Sequence, residues 1–364
     1  MNSMKKYIIL LIVFLLSCSM KFKRGYLFQV PSFAYNICQK DSLDKIWSKK
    51  INAYPENILS LNDQTLLIGD SRGGLMTLDL MEGEKIDRYW KDYIRPIRFY
   101  NIFDNVLYFT SINKNEIKAW DLKKARLKWK NKYDHDFTHL VHFNNKYFVK
   151  HDRGIARLDT SNGKITQELK LDARLAQDFI KTDQHMIVAT ENGRVLMINS
   201  KLKIVKRFDT EILIPRNLIY HENELLINNS SGKIRIIDIN NFETVFVENY
   251  KKTIYATPLF INKKLIMGFA DGEVIAINWK SGEVNWRFSR TNLLSLDMIT
   301  CQDRVIVTYS PGEIYCLETT DGKQVWKYNA EKSINYVKLT HLGLLYSCRK
   351  KLNLIGINNE YTQN

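Results

Sequence analysis

From about residue 41 to about residue 359 the chain alternates short apolar runs with turns rich in Gly, Asn and Asp. The runs are too short for helices and are filled with Val, Ile, Leu, Tyr and Phe, the residues that suit a pleated, half-buried surface. They recur in one order: an apolar strand, a tight turn, a second strand, a looser turn, then a third strand that mixes apolar and charged positions. The clearest copies are LIMGFADGEVIAINWKSGEVNWRF from Leu265 and VIVTYSPGEIYCLETTDGKQVWKY from Val305. Weaker copies start at Leu66, Leu107, Tyr147, Met186 and Leu225.

Two columns of residues set the register. The tight turn carries Gly74, Asn115, Gly154, Gly193, Gly232, Gly272, Gly312 and Lys351, at steps of 39 to 41 residues. Gly or Asn there suits a hairpin that needs a positive φ. The third strand carries Trp47, Asp87, Trp129, Gln167, Lys206, Phe246, Trp286 and Trp326, at steps of 38 to 42 residues. Such a period is that of a propeller blade, and eight members in each column predict eight blades. Stretches such as 257–261 and 296–301 supply a further, innermost strand, so each blade has four. The N-terminal segment 43–48 has the third-strand pattern without preceding strands, and the last copy lacks its third strand. The pattern therefore predicts an all-β, eight-bladed β-propeller over residues 41–359, closed by the N-terminal strand completing the last blade and leaving no open sheet edge at the seam.

The turn before the third strand reads Asp-x-x-x-Gly-(Lys/Glu)-x-x-Trp in its best copies: Asp121 to Trp129 without the Gly, Asn278 to Trp286, and Glu318 to Trp326. This resembles the tryptophan-docking repeat of pyrroloquinoline-quinone-like propellers. Together with the leader described next, it resembles the BamB-like lipoproteins of the outer-membrane β-barrel assembly machinery. The Trp column itself reads as structural, stapling neighbouring blades by apolar contact. Its loss of aromatic residues at Asp87, Gln167 and Lys206 predicts weaker stapling there.

Lys5 and Lys6 precede a short apolar stretch, Tyr7 to Leu16, which is a secretory leader rather than a membrane span. It ends in Leu15-Leu16-Ser17-Cys18, which resembles a lipobox. Residues 1–17 are thus expected to be removed, Cys18 to carry the lipid, and residues 18–40 to form a tether, with 360–364 a short tail. With 45% hydrophobic residues the chain has material for a large core, and six Pro and sixteen Gly are too few for a disordered chain. The formal charge of +15, which falls by two when the leader leaves, is spread along the sequence. Scattered charge behind an export signal argues against nucleic acid as a partner.

Enzyme signatures are absent from the sequence. No nucleotide-binding or Gly-x-Ser-x-Gly motif occurs, and neither does the Cys-Cys pair that many quinone-dependent propeller enzymes carry. Cys38, Cys301, Cys316 and Cys348 have no zinc-type spacing, and are read as buried free thiols; a disulfide stays open, with no partners chosen by the spacing. His135, His139 and His142 fall in DHDFTHLVH, where the run into a strand sends them to different sides, so no metal site is expected. No cofactor is expected either.

Function is then expected on loops of a rigid scaffold, on the face that carries the tight turns and the connections between blades. The resemblance implies a non-catalytic, protein-binding scaffold. Its partners would be a barrel-inserting outer-membrane protein and unfolded outer-membrane clients, with the propeller facing the periplasm from a lipid anchor in the outer membrane. In that family an arginine in a Leu-x-x-Arg loop and acids on the next connection engage the partner. Carried over, the loop is Leu171-Asp172-Ala173-Arg174 and the acids are Asp209 and Glu211, before Pro215. Two departures stand: Leu175 replaces the family's Gly, and the acids are out of strict register. The alternatives are a surface-exposed lipoprotein binding anionic ligands and a quinone-binding propeller enzyme.

Overall fold

The computed structural model describes residue 38 and residues 41–356, except 91–96, 112–114, 177–178, 214, 216, 262 and 292–293. The expected leader, Cys18 and all of the expected tether but Cys38 lie outside the described residues. Among the described residues, thirty-two strands form eight four-stranded antiparallel sheets, and no helix is long and apolar enough to cross a membrane. The fold is an eight-bladed β-propeller. Blades 1 to 7 run through residues 55–90, 97–132, 139–170, 180–209, 217–249, 259–289 and 294–329. Blade 8 joins Tyr336–Leu339, Gly343–Cys348 and Lys351–Gly356 to the N-terminal strand Asp44–Lys50. That pairing is antiparallel, from Asp44 opposite Gly356 to Lys50 opposite Lys351, as the unmatched strands of the sequence required. The chain falls into two compact units, residues 51–132 with blades 1 and 2, and residues 133–356 with the N-terminal strand and blades 3 to 8.

The middle strands of a blade are covered on both faces, which is why they read as unbroken apolar runs rather than alternations. Thr65–Asp70 and Gly343–Cys348 are buried at every position. Within each unit, cores form between consecutive blades: Ile266, Ala276 and Trp286 of blade 6 share a cluster with Val305, Val307 and Tyr315 of blade 7. Burying a side chain of that size contributes roughly 1.5–3 kcal/mol, so consecutive blades stabilise one another.

The third-strand column holds its register, and each member stands beside a β-bulge. Trp286 faces Ala276 just before the shift at Ile277, and Gln167 and Lys206 sit likewise opposite Arg157 and Met197. A bulge re-aims the side chain, at Trp286, Gln167 and Lys206 toward the next blade. The Trp286 indole N–H donates to the Thr319 carbonyl at 2.9 Å, and a Cβ on Gly322 would lie 2.6 Å from the indole ring. At Gln167 and Lys206, two of the places where the aromatic is lost, a polar link replaces it. Gln167 Nε2 donates to the Lys201 carbonyl at 2.9 Å, and Lys206 Nζ to the Asn240 carbonyl at 3.0 Å. Phe242 takes the turn position of Gly322, with φ of 64° against 74°, and the Lys206 ammonium lies 4.9 Å above its ring. A ring on a glycine has become a cation on a ring.

Two expectations need correction. Positive φ holds at Asn115, Gly193, Gly232, Gly272 and Gly312, but not at Gly74, Gly154 or Lys351. Gly73 and Arg349 make the turn in blades 1 and 8, and Gly154 serves another purpose given below. The cysteines are not four free thiols. Cys38 is bonded to Cys301, their Cα atoms 5.3 Å apart, while Cys316 and Cys348 are free and buried. The pairing comes from Cys38 lying in the cluster of Cys301, Trp326 and Tyr346, a contact the spacing does not encode.

Candidate functional site

The connection from blade 3 to blade 4 is held between two tight turns. Leu171 N–H donates to Arg153 O at 2.8 Å and Leu175 N–H to Asp152 O at 2.7 Å, both at the turn of blade 3. On the other side, Glu191 N–H of the blade 4 turn donates to Arg174 O at 2.8 Å. The next connection meets that same turn from the opposite flank, where Thr210 N–H and Oγ1 donate to Gly193 O at 2.8 and 2.7 Å. The two segments singled out in the sequence are thus brought to one face, on either side of residues 190–193.

Their side chains have distinct settings. Leu171 is half-buried and packs on a core with Leu175, Phe179 and Leu196. The Arg174 side chain is 58% exposed, and its one ion pair among the described residues, Nε to Asp152 Oδ2, is long at 3.9 Å. Asp209 ends the outer strand of blade 4, exposed and opposite Arg194. Glu211 has a positive φ of 57°, and its Oε2 accepts from Arg235 at 2.8 Å while its carbonyl accepts from Lys233 at 3.2 Å.

The connections share one electrostatic rule. In blades 4 to 8 each incoming connection pairs with a charge in the first residues of the strand that follows that blade's tight turn. The pairs are Asp172–Arg194, Glu211–Arg235, Lys252–Glu273, Arg290–Glu313 and Glu331–Lys351, at 3.0, 2.8, 2.9, 3.4 and 2.6 Å. The sign of the charge flips between blades and the pairing does not. Burial pushes the Glu273 and Glu313 carboxyls up, but their lysine partners, with Arg287 at Glu273 and the Tyr315 hydroxyl at Glu313, hold both below the ordinary range. Glu331 is held low chiefly by Lys351, and Lys252 is raised first by Asp271 and then by Glu273. The signal for Arg194, Glu273 and Glu313 was in the repeat, since each follows its hairpin glycine directly. Leu213, on the connection after Glu211, is 62% exposed, and no periodicity of the repeat marks it. It puts an apolar side chain beside the charged ones.

The histidines of DHDFTHLVH separate as expected: His139 meets the Phe179 edge, and His142 stacks on Tyr147. His135 does not stay alone, because its ring stacks on that of His151, from the next strand. At the other end of blades 4 and 5, a cavity of about 430 Å³ is lined by His185, Met197, Lys206, Tyr220 and Ile239.

The docking tryptophans, the bulges beside them and the eight-blade register define the class, and the repeat matches agree: the chain is a BamB-like propeller of pyrroloquinoline-quinone-like repeats. A family model described as outer membrane protein assembly factor BamB matches residues 270–346. An outer membrane protein assembly factor BamB of Moranella endobia is 24% identical over 134 residues, 36% of this chain and 34% of that protein. An uncharacterized protein of Rickettsia conorii is 22% identical over 166 residues, 40% of each chain. The chain thus spans about two fifths or less of the length of these curated relatives. The crystal structure of BamB from Moraxella catarrhalis aligns with a TM-score of 0.69 at 14% identity, covering 87% of this chain and 100% of that one. At that identity the structural likeness speaks for the fold.

Proposed function

We propose that this protein is a non-catalytic scaffold of outer-membrane protein assembly, lipid-anchored at Cys18, whose connection face binds a barrel-inserting partner. Arg174 is its central contact, flanked by Leu171, Asp209 and Glu211. The observation that carries the reading is the setting of Arg174. It is an exposed guanidinium on a backbone clamped from both sides, and its ion pair among the described residues is a long 3.9 Å contact to Asp152. Pre-organised arginines beside apolar surface are the usual anchors of protein interfaces, and Leu213 supplies such surface nearby. Asp172 and Glu211 are already paired within the face, so a partner's cation has to compete for them. The likeness to BamB supports the assembly role.

Mild crosslinking and pull-down of the full-length protein from its own membranes tests the reading, with a barrel-inserting outer-membrane protein as the expected capture. Arg174→Glu should weaken that complex by about 2 kcal/mol, roughly thirtyfold, with thermal stability unchanged because the side chain is exposed. Wild-type recovery of the partner by a folded Arg174→Glu protein would retire the site.

A further inference from the structure

We propose that His135, His151 and Glu168 form a binding site for a divalent transition metal, with zinc as the test ion. One nitrogen from each histidine and one carboxylate oxygen lie within 4.8 Å of one another. His151 ends the second strand of blade 3, and its side chain is 2% exposed. Its Nε2 is 3.1 Å from Glu168 Oε1, yet among the described residues the buried nitrogen makes no hydrogen bond. A buried polar atom without a hydrogen bond costs about 1–3 kcal/mol, so its placement calls for a ligand. His135 lies flat on His151, ring centroids 4.4 Å apart and planes 8° from parallel, with its Nε2 3.9 Å from the same Glu168 oxygen.

The surroundings are shaped for the buried ring. A Cβ on Gly154 would sit 2.5 Å from His151 Nε2, so the glycine of the turn column keeps the metal-facing edge open. Phe137 closes another side, edge-on at 5.8 Å. On the far edge, His151 Nδ1 meets the Arg153 amide at 3.4 Å and the Asp152 carboxylate at 3.6 Å. A ligating imidazole donates its other N–H to such a carboxylate, so loading exchanges the long Arg153 contact for a bond to Asp152. His135 is part-exposed. Because parallel stacked rings do not aim their in-plane lone pairs at one point, loading requires its ring to swing off His151 until its nitrogen faces Glu168 and His151 Nε2. Two imidazoles and one carboxylate select zinc and its transition-metal neighbours over calcium or magnesium, and three protein ligands leave a coordination position open. No short sequence motif marks the cluster, because its three residues lie on three segments, 16 and 17 residues apart.

The test is calorimetric titration of the full, untagged, chelator-stripped protein with zinc chloride. One saturable site is expected, weakened at least tenfold by His135→Ala and by Glu168→Gln, two variants that leave the buried His151 in place. His139→Ala and His142→Ala should bind as the wild type does, millimolar calcium should not compete, and cobalt should give the absorption bands of a tetrahedral nitrogen-oxygen site. Circular dichroism checks that each variant is folded, and if one is not, the other decides. Lack of saturable binding overturns the proposal. So does binding unchanged in a folded His135→Ala or Glu168→Gln protein, or equal loss in His139→Ala.

Discussion

The Trp286–Gly322 contact offers a stringent test of how consecutive blades are stapled. Truncating a large buried aromatic costs about 3–5 kcal/mol. Trp286→Ala belongs at the lower end, because the Thr319 carbonyl it leaves still accepts from Lys264 Nζ at 2.8 Å. Gly322→Ala carries two penalties. A non-glycine residue at φ 74° costs about 1–2 kcal/mol, and a Cβ at 2.6 Å from the indole forces the ring off its seat for about 1–3 kcal/mol more. With the indole gone only the backbone penalty remains. The double variant should therefore be about 1–3 kcal/mol less destabilised than the two single changes added together. Lys206→Ala, which removes an exposed ammonium from a carbonyl and a ring, should cost no more than about 1 kcal/mol. Urea unfolding followed by far-ultraviolet circular dichroism reads all four variants, with an unchanged slope as the control for a common transition. Additivity within about 0.3 kcal/mol would refute the packing argument. A Lys206→Ala cost equal to that of Trp286→Ala would refute the claim that the two docking modes differ in strength.

Further outcomes follow from the cysteines, the carboxylates and the leader. Non-reducing mass analysis should find one disulfide, Cys38–Cys301, and Cys301→Ser should lower stability by about 2–5 kcal/mol. Cys316, whose thiol burial pushes up to about 12, should resist alkylation at pH 8 until the protein is unfolded. Because Glu273 and Glu313 titrate below their ordinary value in the fold, their stabilisation is complete above that value, 4.5, and lost as pH falls through the depressed ones. Thermal stability should thus fall most steeply below about pH 4. A smaller loss begins below 6.5, where burial keeps His151 neutral while the unfolded chain's imidazole takes up a proton; Asp297, raised by burial, opposes only part of the loss. Cys18→Ala should abolish the lipid mass increment and move the protein out of the membrane fraction; unchanged fractionation would remove the anchor from the proposal.

The propeller was legible because its two markers, the hairpin glycine and the docking aromatic, repeat at one spacing and survive where strand composition is weak. The N-terminal closure was legible for a simpler reason: one end of the chain had a strand too many and the other a strand too few. Side-chain exchanges across blades were not legible. Lys206 looked like a lost tryptophan because Phe242, the residue that makes sense of it, belongs to another repeat. The same holds for His151, whose partners come from a loop before its blade and from the outer strand of that blade. The Cys38–Cys301 bond depends on where the segment before the repeats lies, and periodicity carries no information about that. For the connection face, the two segments were placed together correctly by the register, whereas the charge pairs within it needed coordinates.

The pairing of Asp44–Lys50 with Lys351–Gly356 has a consequence for the birth of the molecule. Blades 1 to 7 are each assembled from fewer than forty consecutive residues, so they can form as the chain emerges. The strand that finishes blade 8 is made before any of them and waits about three hundred residues for its neighbour. Until then it is an unpaired strand, and the nascent chain exposes edges that any similar strand can capture. A premature stop inside blade 8 would leave seven intact blades and a permanently unpaired first strand, making such truncations a hazard to neighbouring copies rather than a simple loss.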